Sequence, residues 1–216
     1  AMTNQPILAF DCATIGGSVA IMVNGAITAQ RIGRTAQAAE LIPAIDTLMR
    51  AANLHYADLG AIISTVGPGS FTGVRIGLAA LHGLVLVHPT PLKILTTLEA
   101  MAWAVATRAD APATFEVALR AGKGELYCQR FACANAIPTP MSDIRLVPEL
   151  FDGWEAPCFG NHLPEDAPGF IDGPDAQILC AIAHHLPVTS LADALPVYVR
   201  PPDAIIGAPH PWLVRN

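Results

Sequence analysis

The amino-acid sequence predicts an α/β fold in which two β-rich halves follow one another along the chain. A strand meander opens the sequence, and its Asn24-Gly25 pair is a strong hairpin signal because both residues tolerate positive φ. Apolar residues then recur at helical spacing over residues 35–53. A glycine-rich corner at residues 67–77 joins a β-type run to a second apolar helix. Strand-like segments resume after residue 110, so we expect mixed sheets covered by helices.

The N-terminal half, residues 1–109, has the more regular pattern. Pro43 lies within the first helical segment and should either begin its regular part or kink it. Thr96-Thr97-Leu98-Glu99 is a capping box that starts a third helix. In chain order, the predicted elements are strands 7–11, 17–23 and 26–32, helix 35–53, strand 61–66, helix 70–86, a short apolar segment 91–95 and a helix from 96 to about 108.

The C-terminal half, residues 110–216, is expected to form a smaller, degenerate lobe. Two strands, 114–119 and 125–131, are joined through a glycine-containing turn, whereas prolines are frequent and periodicity is weak from 132 to 175. The remaining predicted elements are a short strand 158–160, a helix 177–186 and a short apolar segment 196–200. The order βββαβα followed by a second β-rich half predicts two ribonuclease-H-like lobes.

Composition narrows the class of protein. Of 216 residues, 52% are apolar and 14% are charged, which argues against a long disordered tail and hints that a partner covers apolar surface. The net charge of −6, without a Lys/Arg cluster, argues against a protein that grips nucleic acid by itself. The five cysteines lack Cys-x-x-Cys spacing and indicate reduced core thiols rather than a zinc site or disulfides. No signal peptide or membrane span is predicted, and a cytoplasmic location is expected.

The glycine-rich corner is the most specific local pattern. A helix that begins at Ser70 presents free backbone N–H groups, which could hold an anion or a partner's carboxylate. Gly73, Gly77 and Ala80 fall on one helix face, and each glycine costs about 1 kcal/mol of helix propensity. That cost makes sense where another backbone approaches closely. The turn is either a partner-docking corner or a tight turn that needs glycine, and Arg75 either bonds across an interface or is solvated.

Four motifs occur in the order found in one known family. They are Asp11-Cys12-Ala13-Thr14, Gly67-Pro68-Gly69-Ser70-Phe71-Thr72-Gly73-Val74-Arg75-Ile76-Gly77, Gly124-Glu125-Leu126-Tyr127 and Pro196-Val197-Tyr198-Val199-Arg200. Through them the chain resembles the bacterial TsaB (YeaZ) family, which helps to make threonylcarbamoyladenosine (t6A) in tRNA. The resemblance implies an α/β actin/hexokinase-like (ASKHA) fold of two ribonuclease-H-like lobes. It also implies a non-catalytic scaffold or activator subunit, required for threonylcarbamoyl transfer to adenosine 37.

The same resemblance implies the partners. The chain would heterodimerise with a TsaD-like transferase, a TsaE-like ATPase would join, and tRNA would be contacted only indirectly. The two-helix face of the first lobe would form this interface, and the same face could form a homodimer. The interface residues expected on that basis are Ala38, Leu41, Ile45, Leu48, Phe71, Gly73, Val74, Arg75, Gly77, Leu78 and Leu81. No tightly bound cofactor is expected. Binding of ATP or ADP with Mg²⁺ at a partner interface is an alternative that the sequence leaves open.

Two stretches depart from the family pattern. Many relatives carry His-Ser-Glu where this chain has Gln37-Ala38-Ala39, and Asp-Ala-Arg where it has Arg120-Ala121-Gly122. Both changes remove polar groups that could have served chemistry, so they fit a scaffold better than an enzyme. No His pair at i and i+4 and no Gly-x-Ser-x-Gly context around Ser70 occurs, so neither a metal site nor a catalytic residue is predicted.

Asp11 and Thr14 are the candidates for nucleotide binding. An aspartate at the end of the first strand is where actin-like ATPases place a carboxylate near Mg²⁺ and phosphate. Asp11 could instead bond to backbone groups of the following turn, which is the favoured interpretation. The alternative function is therefore a small actin-like ATPase or phosphotransferase with its own nucleotide site. A self-sufficient homodimer with a structural role is a third hypothesis.

Overall fold

Two mixed five-stranded sheets organise the chain in a computed structural model that describes residues 5–14, 16–33 and 36–199. The first sheet comprises β1 (Ile7–Asp11), β2 (Gly17–Val23), β3 (Ala26–Ile32), β4 (Ala61–Thr65) and β5 (Leu92–Leu95). The second comprises β6 (Thr114–Gly122), β7 (Glu125–Ala134), β8 (Ile137–Pro140), β9 (Arg145–Pro148) and β10 (Cys158–Gly160). The helices are α1 (Gln37–Ala51), α2 (Phe71–Val87), α3 (Thr97–Ala106) and α4 (Ala176–Ala181).

The first sheet has the order β3-β2-β1-β4-β5. The pairs β1–β2 and β2–β3 are antiparallel, whereas β1–β4 and β4–β5 are parallel. Alternate residues of each strand face opposite sides of the sheet. Leu8 and Phe10 pack with α1 and α2 on one side, and Ala9 and Ile63 pack with Trp103 of α3 and with α4 on the other. The lobe is therefore a sheet between two helical layers.

The second sheet is covered on one side by α3. Phe115, Val117 and Phe131 are fully buried against Leu98 and Met101 of that helix. The other side carries a smaller cluster with Trp154, and beside it the fully buried Glu116 carboxylate. This carboxylate accepts hydrogen bonds from two arginine side chains, Arg130 at 2.8 Å and Arg145 at 3.0 Å. Pairing of this kind is what makes a buried charge tolerable.

The lobe boundary at residue 110 separates the strands of the two sheets, but α4 crosses it. This helix comes from the C-terminal half and packs on β1 and β2 of the first sheet. The backbone N–H of Ala176, at its start, donates to Ser18 Oγ at 2.9 Å. The first lobe is thus completed by a helix that is distant in sequence.

Most predicted elements of the first half are confirmed. β1, β2 and β3 have the predicted bounds, and α3 begins with the predicted capping box between Thr96 and Glu99. α1 begins at Gln37 rather than residue 35, and Pro43 lies inside it. In the second half, β8 and β9 were not predicted, and the helix predicted at 177–186 ends at Ala181 and continues as a short 3₁₀ turn. Residues 196–199 form no regular element, and residue 200 lies outside the described range.

Candidate functional site: the α1–α2 surface and the interlobe cleft

The glycine-rich corner binds the loop between β1 and β2. Ser70 is the N-cap of α2, and its Oγ accepts the Gly73 N–H at 3.3 Å. The Ser70 N–H donates to the Ala13 carbonyl at 2.7 Å. The Ser70 hydroxyl therefore accepts one of the backbone N–H groups that have no partner at the start of the helix, as is usual for serine at an N-cap.

Two glycines of the corner are required by the chain's own backbone. A Cβ added to Gly73 would lie 2.0 Å from the Cys12 carbonyl oxygen, and one added to Gly69 would lie 2.0 Å from that of Ala13. At Gly77 the nearest atom to an added Cβ is Cys12 Cβ at 3.7 Å, an ordinary contact. The small-residue face of α2 is thus built for the β1–β2 loop, which supports the tight-turn interpretation.

The structure corrects most of the expected interface residues. Three of the eleven, Ala38, Phe71 and Arg75, are exposed. The other eight are buried in the chain's own core and are unavailable to a partner: Leu41, Ile45, Leu48, Gly73, Val74, Gly77, Leu78 and Leu81. The physical reason is that their side of the two helices packs on the sheet and the β1–β2 loop.

The opposite side of the same helices exposes a set of apolar and small residues. We call it the outer face; it consists of Ala38, Ala39, Ile42 and Pro43 on α1 and Thr72, Ala79, Gly83, Leu86 and Val87 on α2. Ile42 is 46% exposed, and Leu86 and Val87 are each 72% exposed. A Cβ added to Gly83 would meet no atom within 4 Å. Of these residues the sequence analysis named only Ala38, although the uncharged runs from Ile76 to Leu81 and from Gly83 to Val87 were a usable signal.

Asp11 is held in a turn and is fully buried. Its Oδ1 accepts hydrogen bonds from the Thr65 hydroxyl and, at 3.1 Å, from the Ala13 N–H, while no described group bonds to Oδ2. Burial raises the pKa of Asp11 to about 6, and the bonds from Thr65 and Ala13 oppose the shift. These contacts support the interpretation that Asp11 bonds to groups of the following turn rather than to Mg²⁺ or phosphate.

A cleft of about 1220 Å³ separates the two lobes. Thr14, Ser70, Phe71 and Arg75 line it from the first lobe, and the C-terminal segment contributes Tyr198. The side chain of Asp11 does not line the cleft. The two predicted nucleotide-binding residues are therefore separated: Thr14 faces the cleft and Asp11 lies beneath it. On the far side of Thr14, an added Cβ on Gly173 would lie 2.7 Å from Thr14 Oγ1, so the lobes are closely packed there.

The Gln37 side chain accounts for one departure from the family pattern. Its Nε2 donates to the carbonyls of Thr14 at 2.7 Å, Cys12 at 3.3 Å and Gly16. The amide thereby fastens the β1–β2 loop to the start of α1. The other stretch that departs from the family pattern is Arg120-Ala121-Gly122. There Arg120 lines the cleft, and its Nε donates a hydrogen bond to Glu149 at 2.9 Å. Both stretches have structural roles in this chain.

Potential metal ligands are scattered in the described part of the chain, and three of the five cysteines are buried. Within them, no three His, Cys, Asp or Glu side chains are grouped so as to hold a metal ion. Over the same residues, no helix is both long and apolar enough to cross a membrane. Cys12, Cys128 and Cys180 are buried, and burial raises the pKa of Cys12 and of Cys180 to about 12. Such thiols are poor nucleophiles because the thiolate is the reactive form.

Comparison with known proteins gives consistent matches. Residues 31–137 match the family described as TsaD: tRNA N6-adenosine threonylcarbamoyltransferase. The chain is 33% identical over 122 residues to the tRNA threonylcarbamoyladenosine biosynthesis protein TsaB of Escherichia coli K12, covering 56% of this chain and 52% of that protein. It is 45% identical over 58 residues to a tRNA N6-adenosine threonylcarbamoyltransferase of Bradyrhizobium, covering 27% of this chain and 16% of that protein. The chain spans about half the length of the curated TsaB relatives that it matches.

Structural comparison supports the fold. The chain matches a structure of YeaZ from Pseudomonas aeruginosa with a TM-score of 0.75 and 23% identity, over 90% of this chain and all of that one. The fold is therefore the α/β actin/hexokinase-like fold of YeaZ, as predicted. The match to the Bradyrhizobium transferase covers 58 residues, whereas the match to the Escherichia coli TsaB covers 122 residues, more than half of the chain. By these matches the chain is similar in sequence to TsaB proteins and has the fold of YeaZ.

Proposed function

We propose that this protein is a non-catalytic subunit in the synthesis of t6A at adenosine 37 of tRNA. It acts by heterodimerising with a TsaD-like transferase through the outer face of α1 and α2. The names of its relatives support the pathway, because the Escherichia coli relative is a t6A biosynthesis protein and other matches are threonylcarbamoyltransferases. The observation that carries the docking site is the exposure of large apolar side chains, Ile42, Leu86 and Val87, on the outer face.

Gly83 gives the outer face its strongest support. A glycine within a helix costs about 1 kcal/mol relative to alanine. At Gly73 the absence of a side chain lets the Cys12 carbonyl approach α2, which offsets that cost. Around Gly83 there is open space, so no contact within the described structure offsets it. A small residue on an exposed helix allows the backbone of another helix to come close, and Ala79 lies one turn away on the same side. A partner helix that crosses α2 near Gly83 would explain why positions 79 and 83 both carry small residues.

The large exposed side chains of the outer face mark it as an interaction surface. A standard interface buries about 1,600 Å² in total. Exposed side chains as large as Ile42, Leu86 and Val87 on neighbouring helices are costly to leave in water, and patches of this kind mark interaction sites. A second copy of the chain would use the same face, so homodimer and heterodimer would exclude one another. A TsaE-like ATPase would then join the heterodimer, and the partners would supply most contacts to tRNA because this chain carries a net charge of −6.

The polar groups of the molecule support an accessory role. The Ser70 hydroxyl caps α2, the Asp11 carboxylate is buried in a turn, and the Gln37 amide fastens a loop. Each is occupied by a structural bond. The function of such a subunit is to stabilise the active geometry of its partner rather than to react itself.

The alternative function, a small actin-like ATPase or phosphotransferase, has less support. The fold family implies a Mg²⁺-nucleotide between the lobes, and the cleft of about 1220 Å³ is large enough for one. Asp11, the carboxylate predicted to lie near Mg²⁺, does not fit that role, because it is fully buried and its side chain does not line the cleft. An ATP hydrolysis assay on the isolated protein, with Asp11→Asn as control, tests this alternative. Hydrolysis that the substitution abolishes would establish it.

The proposed function is tested by reconstituting t6A formation from the purified transferase, the ATPase and this chain. Modification should require the chain and should be lost with Leu86→Asp, which places a charge in the outer face. The matched control is Leu150→Asp, because Leu150 is 95% exposed but belongs to the second lobe. Full modification without the chain, or with Leu86→Asp, would contradict the proposal.

A further inference from the structure

Arg75 differs from the other arginines that the structure describes, because it alone has no carboxylate of a described residue within 4.0 Å. The remaining six each form an ion pair: Arg31, Arg50, Arg108, Arg120, Arg130 and Arg145. Arg75 is exposed and lies in the second turn of α2. A guanidinium keeps its charge at any physiological pH, and no described carboxylate balances the charge of Arg75.

The guanidinium of Arg75 is nevertheless held in place. Its Cζ lies 3.6 Å from the centroid of the Phe71 ring, a cation–π contact, and its Nε donates to the Tyr198 hydroxyl at 3.1 Å. Phe71 and Tyr198 also contact each other, with ring centroids 5.8 Å apart. Among the described residues, neither terminal nitrogen of Arg75 has a hydrogen-bond acceptor. The side chain therefore presents a fixed fork of donors that no described group accepts, and this fork matches the planar shape of a carboxylate.

The position of Arg75 joins it to the outer face. Ala79 follows one helical turn later and Gly83 another, so the three residues lie along one exposed stripe of α2. A partner helix that covers Gly83 and Ala79 would reach Arg75 at the mouth of the interlobe cleft. Since Arg, Tyr and other aromatic residues in a preorganised cluster are typical of binding hot spots, the place is suited to recognition.

We propose that Arg75 binds a carboxylate side chain of the docked transferase, and that Phe71 and Tyr198 hold it ready to do so. This inference rests on the proposed function. The occupant is an Asp or Glu of the partner, accepted by the two terminal nitrogens, with an apolar neighbour packed on the exposed Phe71 ring, which is 55% accessible. The charged pair selects the partner and its register, while the outer face supplies apolar contact.

The test is calorimetric titration of the purified transferase into the full chain and its variants. Arg75→Gln should weaken binding on the order of 10- to 100-fold, and Arg75→Lys should weaken it less, because lysine keeps the charge but not the fork. The matched control is Arg50→Gln. It removes the same charge from the same lobe, but Arg50 is already paired with Asp46 at 2.9 Å. The effect of Arg75→Gln should also shrink as salt is raised.

The outcomes separate this inference from the function on which it rests. If the wild-type chain does not bind the transferase, the proposed function fails. If the wild-type chain binds and Arg75→Gln binds as tightly as Arg50→Gln, the function stands and the role of Arg75 is refuted. If inorganic phosphate binds the free chain and Arg75→Gln abolishes that binding, the guanidinium serves a small anion and the carboxylate proposal is overturned.

Discussion

Two glycines of one helix, Gly73 and Gly83, have opposite relations to their surroundings. A Cβ at Gly73 would collide with the Cys12 carbonyl at 2.0 Å, whereas a Cβ at Gly83 would meet nothing within 4 Å. The first glycine is demanded by the chain's own fold. The second is not, although its helix-propensity cost is the same. The comparison teaches that a stripe of small residues reports close approach but not whether the approaching backbone belongs to the same chain.

The largest effect should come from filling the space at Gly73. In Gly73→Ala the new methyl group overlaps a backbone oxygen, so α2 or the β1–β2 loop must shift, and we expect a loss of about 3 kcal/mol or more of unfolding free energy. Urea unfolding measures this. Gly77→Ala is the control, because its Cβ would make an ordinary 3.7 Å contact. Equal stability of the two variants would show that the loop does not approach α2 as described.

Asp11, which precedes that loop, should give the next largest effect. Its pKa is raised from 3.8 to about 6 by burial, so the folded chain binds more protons than the unfolded chain between those pH values. Its contribution to stability is therefore greatest below pH 4 and is lost as pH rises through 6, by an amount on the order of 2 to 3 kcal/mol.

Asp11→Asn removes this titration and keeps an acceptor for Thr65 and Ala13. The difference in unfolding free energy between variant and wild type should shift in favour of the variant from pH 4.5 to pH 7.5. Urea unfolding at several pH values measures it. A difference that does not change with pH would show that Asp11 titrates as it does in the unfolded chain.

Gln37→Ala should have a smaller effect. It removes the donors for the Thr14 and Cys12 carbonyls and leaves the β1–β2 loop attached mainly through Ser70, at a cost of about 1 to 2 kcal/mol. Gln177→Ala is the matched control, since Gln177 lies at the start of another helix with an exposed side chain. If both variants unfold at the same urea concentration, the amide does not fasten the loop.

The smallest effect, and one of opposite sign, is expected for Gly83→Ala. The space around Gly83 is open, so alanine should raise the unfolding free energy by about 0.5 to 1 kcal/mol through helix propensity. Thermal unfolding measures the gain. A loss of stability would mean that Gly83 is needed by the fold of the chain itself, and the contrast with Gly73 would disappear.

The first lobe could be predicted almost completely from the sequence, and the second only in part. β1 to β3 carry clean apolar runs and an Asn-Gly turn, and α3 has a capping box, so local signals suffice. β8 and β9 contain prolines at 138, 140 and 148 and were missed, because proline removes a backbone donor and is tolerated where only one side of a strand must pair. The packing of α4 on the first sheet depends on contacts distant in sequence, which no local pattern reports.

The two helices of the proposed docking site could be predicted from the sequence, but not which of their residues are exposed. α1 and α2 were correctly placed, yet the apolar residues assigned to an interface form the core of the chain. α2 is apolar on nearly every side, so hydrophobic periodicity could not tell its inner from its outer face. Exposure of Leu86 and Val87, and the open space at Gly83, resolve that ambiguity only once the fold is known.

The affinity of Gly83→Leu for the TsaD-like transferase tests the central claim most directly. A leucine at Gly83 points into open space in the free chain, so the midpoint of urea unfolding should not fall. If the outer face of α1 and α2 docks the transferase, the dissociation constant should rise on the order of 10-fold or more, because the two helices can no longer approach. A Gly83→Leu chain that is stable and binds the transferase as tightly as the wild type would contradict the account.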